Sequence, residues 1–147
     1  VLVGFAFGAM PVNPHNFRSK YGDALVSAAG PMMNVLLAFI ALTTLAVWLK
    51  FADVPAEGPA RNGQFFLETF GTWNIVLAIF NLLPVPPLDG STILGNFVPA
   101  YRRWLVNLGN PMFLFFILIM VLWNAPQNYQ PFTIAKNIAT AYVKLIL

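Results

Sequence analysis

Long stretches without a charged side chain restrict the possible folds of this chain more than any other feature of its sequence. Residues 24–49, between Asp23 and Lys50, carry no charge, and neither do residues 69–88 or residues 104–123. About 20 consecutive apolar residues suffice for a helix to cross the hydrocarbon core of a bilayer. The three runs therefore predict three transmembrane helices, at about 24–49, 69–88 and 104–123.

The composition also indicates a multi-pass protein of the cell membrane. Of the 147 residues, 59% are hydrophobic and only 9% are charged, whereas soluble domains carry about 25% charged residues. The net charge of +3 comes from few groups, so it indicates control of membrane topology and no nucleic-acid partner. The chain has no cysteine, which excludes disulfides and thiolate metal sites.

The predicted fold is an all-α polytopic membrane protein in which residues 1–147 form a single membrane-embedded domain. Residues 1–12 are too short to span, and their alternation of aromatic and small side chains has the period of a strand, although the tail of a preceding loop would explain them equally well. Prolines and glycines between Lys50 and Glu68 predict an aqueous loop. Residues 133–147 predict an amphipathic helix at the membrane interface. Its apolar face comprises Ile134, Ile138, Ala141, Tyr142 and Leu145, and its polar face comprises Lys136, Thr140 and Lys144.

Basic residues near the ends of the charge-free runs predict the orientation of the chain. Arg18 and Lys20 precede the first run, and Arg102 and Arg103 lie between the second and the third. Loops rich in lysine and arginine stay in the cytoplasm. The rule places the N-terminal end and the segment 89–103 on the cytoplasmic side.

Asp89 is the strongest candidate for a functional residue. It follows the second charge-free run and the proline-rich segment 84–87, and an ionisable group at such a position is costly and indicates function by default. Prolines also break helical geometry, which lipid tolerates only where protein covers the freed backbone carbonyls. Asp89 could be a metal ligand, a proton relay or an ion-coordinating group, or it could cap a helix that begins at Gly90. We expect the functional role rather than the cap alone.

Asn34, Asn81 and His15 are weaker candidates. The Asn34 amide lies within an apolar run, just after the small residues 28–30 that allow close helix approach, and it could hydrogen-bond between helices. Asn81 either belongs to the site of Asp89 or caps the broken helix. His15 is the only histidine and is typical of an interfacial surface residue. A zinc site needs three or four protein ligands, so these residues alone complete no metal site.

Two motifs resemble those of a known family. Asn81-x-x-Pro84-x-x-x-Leu88-Asp89-Gly90 resembles the second signature of the site-2 protease family of intramembrane zinc metalloproteases. Ala29-Gly30-Pro31-x-x-Asn34 resembles the small-residue segment that precedes this signature in the family. The segment 10–23 resembles the lead-in of the compact bacterial and archaeal members, so the resemblance covers most of residues 1–103.

The resemblance implies a zinc metalloendopeptidase that cleaves membrane-anchored protein substrates within or beside the lipid bilayer. In the family, two histidines of an HExxH helix and the aspartate of the second signature hold the Zn²⁺ cofactor, and Asp89 matches that aspartate. The HExxH glutamate serves as general base. The resemblance also places Asn34 and Asn81 near the active site as supporting catalytic residues, where amides could orient the substrate or stabilise an oxyanion. Residues 1–12 would pair with an unwound substrate by strand addition.

The chain departs from the family in containing no HExxH sequence. In the family that helix precedes the segment with which this chain begins, so we expect the C-terminal part of a longer protein, with Asp89 as its one zinc ligand and no activity by itself. Two alternatives stay open. The chain could be a non-catalytic membrane homologue, or a small carrier that uses Asp89 as a relay carboxylate, which would suit a proline-broken span.

Overall fold

The computed structural model describes residues 21–52 and 58–147, and within these ranges the chain is all-helical. The elements are α1 (Gly22–Phe51), α2 (Pro59–Asn81), α3 (Asp89–Phe97), α4 (Pro99–Asn107), α5 (Phe113–Asn124), a 3₁₀ turn at Gln127–Tyr129 and α6 (Pro131–Ile146). The predicted all-α class is confirmed for these residues. The strand-like segment 1–12 and His15 lie outside them.

α1 contains the first predicted span. Its 30 residues extend for about 45 Å, and it is the one helix of the described ranges that is long and apolar enough to cross a membrane. Asp23 in its first turn and Lys50 in its last turn complement the helix dipole. Pro31 lies inside the helix and is fully buried. Because proline has no backbone N–H, the Ser27 carbonyl lacks its usual donor.

α2 differs from the second predicted span of residues 69–88 at both ends. It begins at Pro59, inside the predicted loop, and ends at Asn81. Gly58, with φ of 115°, and Pro59 at the first helical position together favour a helix start. The prediction followed the charge-free run and therefore missed a polar first half of the helix that carries Arg61.

The third predicted span of residues 104–123 is broken in the structure. α4 ends at Asn107 and α5 begins at Phe113. Gly109 has φ of 71°, and the Asn110 side-chain oxygen accepts a hydrogen bond from the Met112 amide at 3.1 Å, so a turn interrupts the helix. The 12 residues of α5 extend for about 18 Å, less than the roughly 30 Å of a bilayer core.

Small residues bring α1 and α2 together. A β-carbon added at Gly71 would lie 2.7 Å from Leu42 Cγ, and one added at Gly63 would lie 2.9 Å from the Trp48 ring. Leu42 is only 2% exposed. Packing through small residues is typical of membrane helices, which have no hydrophobic effect to drive them together.

α6 confirms the predicted C-terminal helix but packs through its predicted apolar face only in part, at Tyr142. The buried residues are Ala135, Ala139 and Val143, and they contact α1 and α2. Ile138 and Leu145 are exposed. Close helix packing selects small side chains, and large apolar side chains can then face lipid without cost.

Two hydrogen bonds attach α6 to the second half of α1. The Thr43 and Tyr142 hydroxyls lie 2.8 Å apart, and the Lys50 ammonium donates to the Ile146 carbonyl at 2.9 Å. The C-terminal end of α6 therefore lies beside the C-terminal end of α1.

Candidate metal-binding site

The segment between α2 and α3 reverses the chain in a series of tight turns. The Leu83 amide donates to the Phe80 carbonyl, the Val85 amide to the Leu83 carbonyl, and the Leu88 amide to the Val85 carbonyl, at 3.0, 2.8 and 2.9 Å. Prolines cannot donate such bonds, so the remaining amides of the segment hold its shape.

Two side chains satisfy further carbonyls of this segment. The Tyr101 hydroxyl donates to the Pro84 carbonyl at 2.8 Å, and the buried Ser91 hydroxyl donates to the Leu88 carbonyl at 2.9 Å. Burial raises the pKa of Tyr101, so the phenol stays a donor to a higher pH than an exposed tyrosine would. Two carbonyls of the irregular backbone before Asp89 thus have side-chain donors, while Leu82, Pro84 and Pro87 are exposed.

Asp89 is the first residue of α3 and does not cap the helix with its side chain. The N-cap is Leu88, and no side-chain capping bond forms at this end. The interpretation of Asp89 as an N-cap is therefore wrong. Its half-buried carboxylate has no hydrogen-bond or ion-pair partner among the described residues.

Two glycines determine where the Asp89 carboxylate lies. A β-carbon added at Gly30 would lie 3.2 Å from Asp89 Oδ2, so the carboxylate contacts the backbone of α1 where no side chain intervenes. A β-carbon at Gly90 would collide with the backbone carbonyls of Leu82 and Leu83. Gly90 thus lets α3 start directly against the end of α2.

Asn34 lies one helical turn after Gly30. Residues four apart share a helix face, so the Asn34 amide is on the side of α1 that meets Asp89. It is half-buried and has no hydrogen-bond partner in the part of the chain that the structure describes. An uncommitted amide near a carboxylate is available to a ligand.

Asn81 is the last residue of α2. The C-cap is Leu82, and the half-buried Asn81 side chain makes no hydrogen bond to a described residue. The alternative in which Asn81 satisfies the broken end of its own helix therefore finds no support in these ranges.

The described residues fit one ligand of a metal site and not a complete site. Within residues 21–52 and 58–147, no three His, Cys, Asp or Glu side chains come together as a metal-binding group. An unpaired carboxylate oxygen is a suitable zinc ligand, but a catalytic zinc takes three protein ligands. Asp89 would thus need two further ligands from elsewhere in the protein.

Sequence reasoning located Asp89 but missed the residues that position it. The small-residue run 28–30 predicted close helix approach without indicating that Gly30 meets Asp89. No signal in the sequence predicts the bond between Tyr101 and Pro84, which are 17 residues apart.

Comparison with known proteins identifies a family that this chain matches. The family model described as "Peptidase family M50" matches residues 50–124, about half of the chain, including the proline-rich segment and Asp89. No solved structure gives a significant match.

Curated bacterial proteins are similar over most of the chain. "Putative zinc metalloprotease YwhC" of Bacillus subtilis is 34% identical over 125 residues, which cover 82% of this chain and 57% of that protein. "Putative zinc metalloprotease Rip2" of Mycolicibacterium smegmatis is 31% identical over 121 residues, 81% of this chain and 43% of that protein. "Putative zinc metalloprotease sll0528" of Synechocystis is 31% identical over 94 residues, which cover 64% of this chain and 22% of that protein. The chain spans about half, or less, of the length of these relatives.

Proposed function

The chain belongs to peptidase family M50, the site-2 protease family, and from this premise we propose that the full-length protein is an intramembrane zinc endopeptidase that cleaves membrane-anchored substrates. Asp89 would be one of its zinc ligands. The observation that carries the proposal is the Asp89 carboxylate, which lies against Gly30 and has no partner among the described residues. Two relatives are named as zinc metalloproteases, which supports the same chemistry.

The environment of Asp89 suits a metal ligand. A carboxylate taken out of water is costly unless a cation or hydrogen bonds compensate it. No such group compensates Asp89 within the described ranges, and a bound Zn²⁺ would do so. Zinc at this position would supply a Lewis acid for the scissile carbonyl and an activated water. The two remaining ligands and the general base are assigned to an HExxH segment outside these 147 residues.

Asn34 and Asn81 would support the reaction without binding zinc. Both amides are half-buried and lack partners among the described residues. An amide that donates to the peptide oxygen of the substrate would stabilise the charge that develops there, and one that accepts would orient the substrate backbone. The Asn34 amide shares the α1 face of Gly30, which supports its assignment to the same site.

The proposal includes a multi-pass arrangement in the cell membrane. α1 is long and apolar enough to span by itself. The second half of α2 carries no charge after Glu68, and α5 is wholly apolar up to Asn124. These two helices would complete the membrane-embedded domain, with the turn at Gly109 near the bilayer surface.

Zinc content and peptide cleavage of the full-length protein test the proposal. Purified wild-type protein should carry about one zinc per chain and cleave a membrane-anchored reporter peptide, whereas Asp89→Ala should lose both. Glu68→Gln is the matched control, since it removes an exposed carboxylate from α2 and should retain zinc and activity.

The alternatives give different results in the same assay. Wild-type protein without stoichiometric zinc would overturn the proposal. Zinc without cleavage of any membrane-anchored reporter would identify a non-catalytic homologue. A zinc-free protein with an ion flux that Asp89→Ala abolishes would identify a carrier.

A further inference from the structure

An open cavity whose lining includes several charged side chains lies between the beginning of α1, the end of α3 and α4. It encloses about 520 Å³, and its lining includes Asp23, Asn96, Arg102 and Arg103. An adjoining cavity of about 350 Å³ shares Asp23, Asn96 and Arg102. Asp89 lines neither cavity, although the smaller one reaches Pro86 and Ser91 in the segment around Asp89.

The charged groups of this cavity are not paired with one another. Neither guanidinium of Arg102 and Arg103 has a hydrogen-bond or ion-pair partner in the described part of the chain, and the same is true of the Asp23 carboxylate. A guanidinium presents a planar set of donors that matches two oxygens of a phosphate. The Asn96 amide adds a neutral donor. The arrangement suits a phosphate group next to a cation.

The cavity lies at the beginning of α1, where the charge-free stretch starts. Asp23 is the last charged residue before that stretch. Tyr101 packs against Trp104, and Tyr21 stacks on Phe97, with ring centroids 6.0 and 5.7 Å apart. Aromatic side chains concentrate at the membrane–water interface. If α1 spans the bilayer, this cavity opens at the depth of the lipid headgroups.

We propose that the cavity binds the headgroup of a phospholipid, with its phosphate on Arg102 and Arg103. Asp23 would weaken the attraction of Arg102 and Arg103 for a headgroup that is only anionic, and it would attract an ammonium. The ligand is therefore a zwitterionic headgroup with a primary amine, as in phosphatidylethanolamine. This inference rests on the membrane position of α1 and not on zinc at Asp89, so either can fail without the other.

Lipid titration of the full-length protein in detergent, followed by native mass spectrometry, tests the proposal. Wild-type protein should bind phosphatidylethanolamine more tightly than phosphatidylglycerol. The double variant Arg102→Gln/Arg103→Gln should bind phosphatidylethanolamine about tenfold more weakly, the effect expected for charge-assisted hydrogen bonds to phosphate. Asp23→Asn should shift the preference toward phosphatidylglycerol, since it removes the carboxylate that repels anions.

Two further double variants serve as controls. Lys136→Gln/Lys144→Gln removes the same charge from exposed positions of α6 and should bind lipid like wild type. Arg102→Lys/Arg103→Lys keeps the charge but not the planar set of donors, and it should bind lipid more tightly than Arg102→Gln/Arg103→Gln. This partial recovery would show that the glutamine variant lost lipid contacts and not its fold.

Three results would overturn the proposal. The first is equal phosphatidylethanolamine binding by the wild type and the Arg102→Gln/Arg103→Gln variant. The second is a wild-type preference for phosphatidylglycerol that Asp23→Asn leaves unchanged. The third is displacement of the lipid by an equal concentration of inorganic phosphate, which would identify a site for the free anion.

Discussion

The Asp89 carboxylate lies against Gly30 of α1, where an added β-carbon would come within 3.2 Å of Asp89 Oδ2. This separation is shorter than ordinary van der Waals contact. The carboxylate at the start of α3 and the absence of a side chain at Gly30 therefore belong to one arrangement. Because Gly30 precedes Asn34 by one turn, the same helix face presents both a gap and an amide to the candidate site.

Gly30→Ala should weaken zinc binding without unfolding the protein. The new methyl group must displace the Asp89 carboxylate, whereas replacing a helical glycine by alanine favours the helix by about 1 kcal/mol. We expect an unchanged or higher unfolding temperature of the full-length protein together with a loss of zinc affinity of about tenfold or more. Gly95→Ala is the control, because its β-carbon would meet atoms only at 3.8 and 3.9 Å. Full zinc affinity in Gly30→Ala would contradict the prediction that contact with Gly30 positions Asp89 for zinc.

Asn34→Ala and Asn81→Ala should separate catalysis from zinc binding. Each removes an amide without touching the proposed ligand, so zinc stoichiometry should match wild type. If an amide donates to the developing oxyanion, kcat falls by about 10² to 10³ with little change in KM. Steady-state cleavage of a membrane-anchored peptide measures the two constants. Zinc loss in either variant would instead assign that asparagine a structural role.

Gly90→Ala should be strongly destabilising. Its β-carbon would collide with the carbonyls of Leu82 and Leu83, and backbone atoms cannot rotate away as a side chain can. We expect a loss of about 3 kcal/mol, at the upper end of the usual cost of overpacking. Unfolding in mixed micelles should show this loss relative to Gly95→Ala. A Gly90→Ala protein as stable as wild type would contradict the turn geometry described before α3.

Tyr101→Phe should cost about 1 kcal/mol, because the Pro84 carbonyl loses its donor. The effect should depend on pH. Burial raises the pKa of Tyr101, so the folded state holds the phenolic proton more tightly than the unfolded chain. The stabilisation is complete below the unfolded pKa of about 10 and is lost as the pH rises through the folded value. Unfolding curves between pH 8 and pH 11, approximate limits set by that pKa, should therefore converge for the two proteins; parallel curves would contradict this.

Gly71→Ala should disrupt the packing of α1 on α2. The added carbon would lie 2.7 Å from Leu42 Cγ in a buried contact, and overpacking of this kind costs about 1–3 kcal/mol. Leu42→Ala leaves a cavity and costs about 2–5 kcal/mol by itself. The double variant should be less destabilised than the sum of the two, because the methyl group fills part of the cavity. Strict additivity in this double-mutant cycle would show that the two residues do not touch.

The sequence predicted the elements whose signal is local. The charge-free run of residues 24–49 lies within α1, because a helix that faces lipid must be apolar along its whole length. The prolines before Asp89 correctly placed a break after α2. The Asp-Gly pair of the second signature is a local signal that identifies Asp89 as the candidate ligand.

The same sequence could not give features that depend on packing. The charge-free run of residues 104–123 is interrupted at Gly109, since apolar character does not distinguish a continuous helix from two short ones. The helical pattern of α6 predicts an apolar face that includes Ile138 and Tyr142, and of these Tyr142 packs on the core beside Ala139 whereas Ile138 is exposed. Contact between Gly30 and Asp89 joins distant parts of the chain, and no local pattern specifies it.

The hydrogen bond from Lys50 to the Ile146 carbonyl has a practical consequence for determining topology. Lys50 follows Gly30 by 20 positions in one continuous helix, a rise of about 30 Å, so Leu147 lies far from the level of Asp89. If α1 spans the bilayer, a reporter enzyme fused after Leu147 would face the compartment opposite to Asp23. A reporter that is active on only one side of the membrane, placed after Leu147, would then show on which face the proposed headgroup cavity opens.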